Sequence, residues 1–231
     1  MLRPKLLLLH GALGSREQFK RLIPLLSSSF EIHSFDFDGH GKNDSSSAFS
    51  IERFSENALH YLDEHGIETA DIFGFSMGGY VALNLAFTNP DRIQRIITLG
   101  TKFDWTPESA QREVGQLDAN KIEAKVPQFA DHLKSVHGAN RWRSVLDRTG
   151  HLMTELGNSP ILVEDVLSRI KHTVLVCRGE KDRMVSEDES VQVAGNLKNG
   201  VFRSIPDVVH PIEQNDQELI SPIIKAQFTV D

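Results

Sequence analysis

The sequence is poor in several residue types, and each shortage excludes a class of protein. Its 231 residues include a single cysteine, Cys177, so an internal disulfide and an all-cysteine metal site are excluded. Lysine and arginine number 25 against 32 aspartates and glutamates, which gives a net charge of −7. Without a basic excess the chain lacks the counterion release that drives binding to nucleic acids. We therefore expect no nucleic-acid partner.

Long hydrophobic runs are also missing. The apolar run Leu6 to Leu9 stops at His10-Gly11, too short for the roughly 7–15 residues of a signal-peptide core. No stretch approaches the ~20 apolar residues of a membrane span. We expect no membrane span, a cytoplasmic location, and a first strand that begins at about Lys5.

Cofactor motifs are absent as well. No glycine-rich G-x-G-x-x-G opens the first helix, and no G-x-x-x-x-G-K-[ST] is present. The ten histidines include no H-x-x-x-H pair or histidine–carboxylate cluster with convincing metal spacing. We therefore predict no cofactor and no metal.

The pattern that is present indicates one α/β domain with an insertion. Hydrophobic residues make up 39% and charged residues 25% of the chain, as in globular proteins. Short, continuous apolar runs alternate with helical patterns, which is typical of a doubly wound parallel sheet covered by helices on both faces. The six predicted strands are residues 5–10, 31–36, 70–75, 93–99, 173–177 and 200–205.

Helix-start signals lie between these strands. Ser15 with Gln18 and Ser186 with Glu189 fit the capping box, and Ser50 fits an N-cap. Pro160 and Pro222 each follow a serine and fit the first helical position.

One segment interrupts the alternation. Residues 103–157 hold no convincing strand, and we predict a small helical cap, or lid, inserted between core segments 1–102 and 158–231. The cap carries several large apolar residues. Each of them is most simply a packing residue, but together they could form an apolar cover over a pocket. Trp105 and Trp142 are candidates for residues that line such a pocket. Arg141 and Arg143 could meet a carboxylate or could be solvated.

A strand–turn–helix motif carries the strongest chemical signal. Gly74-Phe75-Ser76-Met77-Gly78 fits G-x-S-x-G between a predicted strand and an apolar helix. Such a turn is too tight for a Cβ at its glycines, and it projects the serine Oγ above a helix N-terminus. The motif alone does not exclude an alternative interpretation, a glycine-rich turn that carries an ordinary, non-catalytic serine. The other strand ends weaken that alternative.

Two further strand ends supply the partners of a nucleophilic serine. Asp182 follows the fifth strand and His210 follows the sixth. Carboxyl ends of parallel strands share one edge of a sheet, so we expect Ser76, Asp182 and His210 to meet there. A serine needs an imidazole to take its proton, and the imidazole needs a carboxylate to orient it.

The whole series of motifs resembles the α/β-hydrolase superfamily over almost the entire chain. His10-Gly11-Ala12-Leu13-Gly14 looks like the family's oxyanion loop, and residues 36–41, with the sequence DFDGHG, look like its D-x-R/P-G-H-G turn. The resemblance implies a catalytic triad of Ser76, His210 and Asp182, with the oxyanion held by the N–H groups of Ala12 and Met77. It also implies that the antiparallel strands that usually precede the first one are missing. Asp38, Asn43 and Val209 depart from the family pattern.

The other histidines have simpler interpretations. The resemblance suggests a scaffolding role for His10 and His40. His132, His137 and His151 lie in the insertion and could line a pocket, but surface placement is favoured.

Three functions stay open. The first is a serine hydrolase that cleaves a small carboxylic ester or thioester through an acyl-enzyme, with a small acyl compound as its partner. The second uses the triad for C–C bond hydrolysis or a menaquinone-pathway type of lyase reaction, which Phe75 and Tyr80 disfavour. The third is a non-catalytic interaction module, disfavoured because all three triad residues are present. The sequence leaves the substrate and the oligomeric state open.

Overall fold

The computed structural model describes residues 3–228 and is built around a six-stranded sheet. The strand order is β2-β1-β3-β4-β5-β6, and all neighbours are parallel, as predicted. The strands are β1 (Lys5–Leu9), β2 (Glu31–Ser34), β3 (Ala70–Phe75), β4 (Ile93–Leu99), β5 (Thr173–Gly179) and β6 (Asn199–Ile205).

Ten α-helices connect and cover these strands within the described residues. They are α1 (Ile23–Leu26), α2 (Ile51–Glu64), α3 (Met77–Thr88), α4 (Pro107–Val114), α5 (Ala119–Lys125), α6 (Pro127–His137), α7 (Trp142–Asn158), α8 (Glu164–Arg169), α9 (Glu187–Asn196) and α10 (Ser221–Phe228). None of the helices in residues 3–228 is both long and apolar enough to cross a membrane.

The sheet is buried on both faces at its centre and less so at its edges. β3 is fully buried, and one apolar cluster lies on each face of the sheet. The edge strand β6 instead alternates exposed and half-buried residues as far as Ile205, so the predicted continuous burial is wrong there. An edge strand has a neighbour on one side only, which leaves part of its surface in water.

Two strands end earlier than predicted. β1 ends at Leu9, and the side chain of the next residue, His10, accepts from the Phe37 N–H at 3.1 Å through its Nε2 atom. β2 ends at Ser34, and the Asp36 carboxylate accepts from the N–H groups of Arg16 and Lys42. His10 and Asp36, predicted as the last residues of these strands, thus hold neighbouring loops through their side chains.

The helix-start predictions had mixed outcomes. Ser50 caps α2, and Ser186 with Glu189 forms a reciprocal capping box on α9, as predicted. Ser15 accepts instead from the Glu17 N–H of a short 3-10 helix, so its predicted box is wrong. Pro222 lies in the first turn of α10.

Pro160 begins no helix, because α8 starts only at Glu164. The Tyr80 hydroxyl accepts hydrogen bonds from the N–H groups of Ile161 and Leu162, which fixes that stretch as a turn.

The predicted cap region contains α4, α5, α6 and most of α7, and no strand occurs in it. Its first residues are tied to the core, because the Glu189 carboxylate accepts from the N–H groups of Phe103 and Asp104, both at 2.8 Å. The Tyr80 hydroxyl holds the exit from α7 in the same way. Both connections are therefore fixed by side chains of the core.

Candidate active site

Ser76 occupies a strained turn between β3 and α3. Its backbone angles are φ 51° and ψ −119°, a conformation that L-residues rarely adopt. A Cβ on Gly74 would lie 2.5 Å from the Gly78 oxygen, and one on Gly78 would lie 2.1 Å from the Leu9 oxygen. The Thr101 hydroxyl donates to the Ser76 carbonyl at 2.9 Å. The glycines make the turn sterically feasible, and the surrounding backbone holds the strain in place.

The topology explains why this turn is accessible. The chain adds β2 on one side of β1 and then β3 and the later strands on the other side. The order in which strands are added therefore reverses at the boundary between β1 and β3. Ligands of open parallel sheets bind at such a switch point, outside the carboxyl ends of the strands. Leu9 pairs with Gly74, which places Gly11 directly beside Phe75 and Ser76.

Asp182 is buried in the loop after β5 and is held by three hydrogen bonds. Its Oδ1 accepts from the N–H groups of Met184 at 2.8 Å and Val185 at 3.1 Å. Its Oδ2 lies 2.8 Å from the Nδ1 atom of His210. Burial opposes ionisation, but the hydrogen bond and charge of His210 and the two amides together hold the pKa of Asp182 below its usual range. The carboxylate therefore stays charged and fixed beside the imidazole.

His210 is oriented by that carboxylate and by its own loop. An ionised carboxylate only accepts, so Nδ1 carries the proton and Nε2 is left as the free acceptor. The Asn215 side chain accepts from the Val209 N–H and donates to the Val209 carbonyl, which fixes the residue before the histidine. Val209, a departure from the family pattern, thus lies in a loop held by Asn215.

Two residues whose backbone amides are unpaired within residues 3–228 line the same cavity as Ser76. Met77 is the first residue of α3, so its N–H has no acceptor within the helix. Ala12 follows β1, and its N–H has no hydrogen-bond acceptor among residues 3–228. Ala12, Ser76, Met77 and His210 all line one cavity, so the structure brings together the predicted residues around the serine.

The Ala12 amide is oriented through its own peptide plane. The carbonyl of that plane belongs to Gly11, and it accepts from the Gly14 N–H at 3.2 Å and from Nδ1 of His10 at 2.8 Å. In a trans peptide the C=O and N–H point in opposite directions, so fixing the Gly11 carbonyl also fixes the Ala12 N–H. The Gln18 side chain further accepts from the Gly11 N–H at 3.0 Å.

His10 can play this role only as a neutral ring. Its Nε2 accepts from the Phe37 N–H, so the proton must lie on Nδ1, which donates to Gly11. Burial lowers the pKa of His10 to about 4, against the opposing effect of the Gly11 hydrogen bond. The resemblance suggested a scaffolding role for His10, and these contacts agree with it.

Two cavities meet at Ser76. The inner one has a volume of about 60 Å³ and lies between α3 and the helices α4 and α7, and its mainly apolar wall includes Ile51, Tyr80, Trp105, Leu152 and Leu156. The outer one is larger, about 470 Å³, and its wall combines apolar side chains such as Leu117 and Phe129 with polar ones such as Gln18 and Glu213. Ser76 and His210 border both. The serine can thus face a small apolar cavity on one side and a larger cavity of mixed polarity on the other.

Trp142, Arg141 and Arg143 do not lie where a contact with substrate would require them. Trp142 is buried in a separate cap cluster, where Lys134 and Arg143 pack on its ring. Arg141 donates to the carbonyls of Gly41 and Asn43. None of these three residues lines a cavity at Ser76, whereas Trp105 does.

Some residues of the site carry no recognisable signal in the sequence. Gly100 has φ +61°, and a Cβ there would lie 3.1 Å from Asp182 Oδ2 and 3.3 Å from His210 Nδ1. Asn215 carried no motif, and Gln18 was interpreted only as part of a capping box. His137 was expected at the surface and is fully buried, so that expectation was wrong. Within the described residues, no group of three or more His, Cys, Asp or Glu side chains could hold a metal.

Known proteins resemble this chain in sequence and in fold. It is 29% identical over 229 residues to the magnesium-chelatase 30 kDa subunit of Rhodobacter capsulatus, covering 87% of this chain and 79% of that protein. It is 34% identical over 92 residues to a pimeloyl-[acyl-carrier protein] methyl ester esterase of Neisseria meningitidis, covering 40% of this chain and 34% of that protein. The alignment thus spans only about a third of that esterase.

A solved structure confirms the architecture. The 2-hydroxy-6-oxo-6-phenylhexa-2,4-dienoate hydrolase of Rhodococcus sp. strain RHA1 superposes with a TM-score of 0.83 at 20% identity, covering 98% of this chain and 90% of that one. The family described as the alpha/beta hydrolase fold matches residues 4–141, more than half of the chain. The chain therefore belongs to the α/β-hydrolase fold family and is an enzyme of that family, as its motifs predicted.

Proposed function

We propose that the protein is a serine hydrolase that cleaves a small carboxylic ester or thioester through an acyl-enzyme. The observation that carries the proposal is the 2.8 Å contact between His210 Nδ1 and the buried Asp182 carboxylate, beside a strained serine in the same cavity. This contact leaves Nε2 of His210 free to take the Ser76 proton. A serine hydroxyl becomes an effective nucleophile at neutral pH when such a base is present.

The reaction proceeds in two halves. Ser76 Oγ attacks the carbonyl carbon while Nε2 of His210 takes its proton, and Asp182 stabilises the imidazolium. The oxyanion accepts from the N–H groups of Ala12 and Met77, and each such donor contributes about 3–4 kcal/mol to the transition state. His210 then protonates the departing alcohol or thiol. Water attacks the acyl-enzyme by the same route and releases the acid.

The two cavities suggest how the substrate lies. The small apolar cavity around Tyr80 and Trp105 suits a small acyl group, and the larger outer cavity of mixed polarity suits the leaving group. The name of the Neisseria esterase supports an ester as the scissile bond. No step needs a metal or a cofactor.

A panel of p-nitrophenyl esters of rising chain length, with matched thioesters, tests the proposal. We expect wild-type turnover and loss of about 10³-fold or more in kcat for Ser76→Ala, which retains the fold. A folded wild-type protein that cleaves no ester or thioester would overturn it. If that protein still reacted with a fluorophosphonate at Ser76, the result would favour C–C bond hydrolysis by the same residues.

A further inference from the structure

His137 connects the cap to two motif loops of the core. It is the last residue of α6 and is fully buried. Its Nε2 donates to the Leu13 carbonyl at 2.9 Å, and its Nδ1 accepts from the Gly41 N–H at 3.0 Å. These partners precede it by 124 and 96 residues in the chain. One imidazole therefore ties the loop after β1 to the turn after β2.

The contact with Leu13 bears directly on the loop that presents Ala12. Leu13 has φ +60°, an unfavourable backbone conformation for a side chain of its size. The Gly11 carbonyl, which shares a peptide plane with the Ala12 N–H, is held by His10 and Gly14. The Leu13 carbonyl, two peptide planes further along the chain, is held by His137. Ala12 and Leu13 therefore lie between two fixed peptide planes, one of which depends on α6.

We propose that His137 is a positioning residue for the oxyanion donor: it holds residues 11–13 so that the Ala12 N–H faces Ser76. This inference rests on the proposed function. It makes the cap a part of the catalytic geometry as well as a cover for the pocket.

The contacts require the neutral ring. Nδ1 must be unprotonated to accept from the Gly41 N–H, and Nε2 must carry the proton that it donates to the Leu13 carbonyl. Burial lowers the pKa of His137, as do the charges of Arg141 and His132, while the Leu13 contact and Asp36 act in the opposite direction.

Two more histidines face this one. The ring of His40 lies 5.8 Å from that of His137, and His10 lies beyond it, 5.2 Å from His40. Burial also lowers the pKa of both rings, so none of the three adds a proton to this cluster at neutral pH.

Two amide substitutions separate the contacts. In His137→Gln the amide nitrogen reaches the position of Nε2 and can donate to Leu13. In His137→Asn the shorter side chain reaches only the position of Nδ1. We expect His137→Asn to lower kcat about 10- to 100-fold with little change in KM, because the oxyanion contact forms in the transition state. His137→Gln should restore kcat to within about threefold of wild type.

Thermal unfolding of the two variants distinguishes a positioning role from simple destabilisation. Both variants lose the same buried ring, so a difference in kcat between variants of similar Tm reports on positioning. His60→Asn, which removes an exposed histidine on α2, is the control and should match wild type. The proposal would be overturned if the Asn and Gln variants had equal kcat values. It would also be overturned if kcat fell in proportion to the loss of Tm in each variant.

A second readout does not depend on turnover. Hydrogen–deuterium exchange of the peptide covering residues 10–14 should be about tenfold faster in His137→Asn than in wild type or His137→Gln, because the loop loses its tether. Unchanged exchange in His137→Asn would overturn the proposal. A wild-type protein inactive on all esters would contradict the proposed function alone and would leave this measurement decisive for His137.

Discussion

The two sides of Ser76 are built in different ways. On the acid–base side, the partners lie in one C-terminal stretch of the chain: Asp182 is held by amides two and three residues ahead, and His210 lies 28 residues further on. On the oxyanion side, the loop after β1 is held by His10 and by His137, a residue of the cap. The first side is a local construction, and the second is assembled from distant segments.

This difference indicates where the protein is vulnerable. The acid–base side depends on one hydrogen bond between His210 and the Asp182 carboxylate, which neighbouring backbone amides also hold, so it should survive changes in the cap. The oxyanion side depends on neutral buried histidines and on the docking of α6, so it should respond to cap mutations and to acid. Each prediction below acts on one side and spares the other.

The largest effect is expected from Asp182→Asn, which damages only the acid–base side. The amide oxygen can still accept from Met184 and Val185, so the loop and the unfolding temperature should change little. The amide nitrogen facing His210 favours the wrong tautomer, and kcat should fall about 10⁴-fold. Ester hydrolysis and circular dichroism would measure both. A loss of less than tenfold would show that Asp182 does not orient the catalytic imidazole.

Mild acid should weaken the oxyanion side first. A buried histidine with a lowered pKa binds its proton more weakly when folded than when unfolded, so stability falls as pH drops below 6.5 toward the folded pKa. His10 alone, with a folded pKa of about 4, should cost about 2 kcal/mol of unfolding free energy between pH 7 and pH 5. The contribution of Asp182, whose pKa is also lowered, is lost only below its unfolded value of 3.8.

Urea unfolding at pH 7 and pH 5 would measure this loss. His60→Asn, which removes an exposed imidazole and leaves His10 in place, is the control variant. An unfolding free energy that does not change between the two pH values would contradict the neutral, buried assignment of the histidines.

The smallest effect is expected from Gly100→Ala, which acts beneath the acid–base pair. The new Cβ would press on Asp182 and His210, and the positive φ would cost about 1–2 kcal/mol. We expect a kcat about tenfold lower, equivalent to a slight displacement of the imidazole. Gly195→Ala in α9 is the matched control, because a Cβ there meets nothing within 4 Å and should leave kcat unchanged. Equal kcat values for the two variants would contradict the close packing described for Gly100.

The sequence predicted what local patterns determine. Continuous apolar runs predicted the central strands, because a parallel strand covered on both faces needs a continuous apolar stretch, whereas the edge strands β2 and β6 are less buried than that rule requires. The elbow at Ser76 was recognisable because its glycines and serine form a continuous local motif between a strand and a helix. Asp182 and His210 followed from the rule that strand ends share an edge, and the structure places them in contact.

The sequence did not predict the contacts between distant segments. His137 looks like any polar residue of an amphipathic helix, and its partners come from loops far earlier in the chain. Packing was the simpler interpretation of Trp142, with a substrate pocket as the alternative, and the packing of α5, α6 and α7 decides between them. Gln18 was misassigned for the same reason, because its acceptor role lies in the preceding loop.

Reaction with a fluorophosphonate, followed by intact-mass and peptide mass spectrometry, tests the central claim most directly. That claim is that Ser76 is an activated nucleophile with both sides of its site assembled. We expect one covalent adduct, located on Ser76 in the wild-type protein and absent from Ser76→Ala. Asp182→Asn and His137→Asn should react more slowly at the same residue. A folded wild-type protein that forms no adduct, or forms it at another serine, would contradict the account.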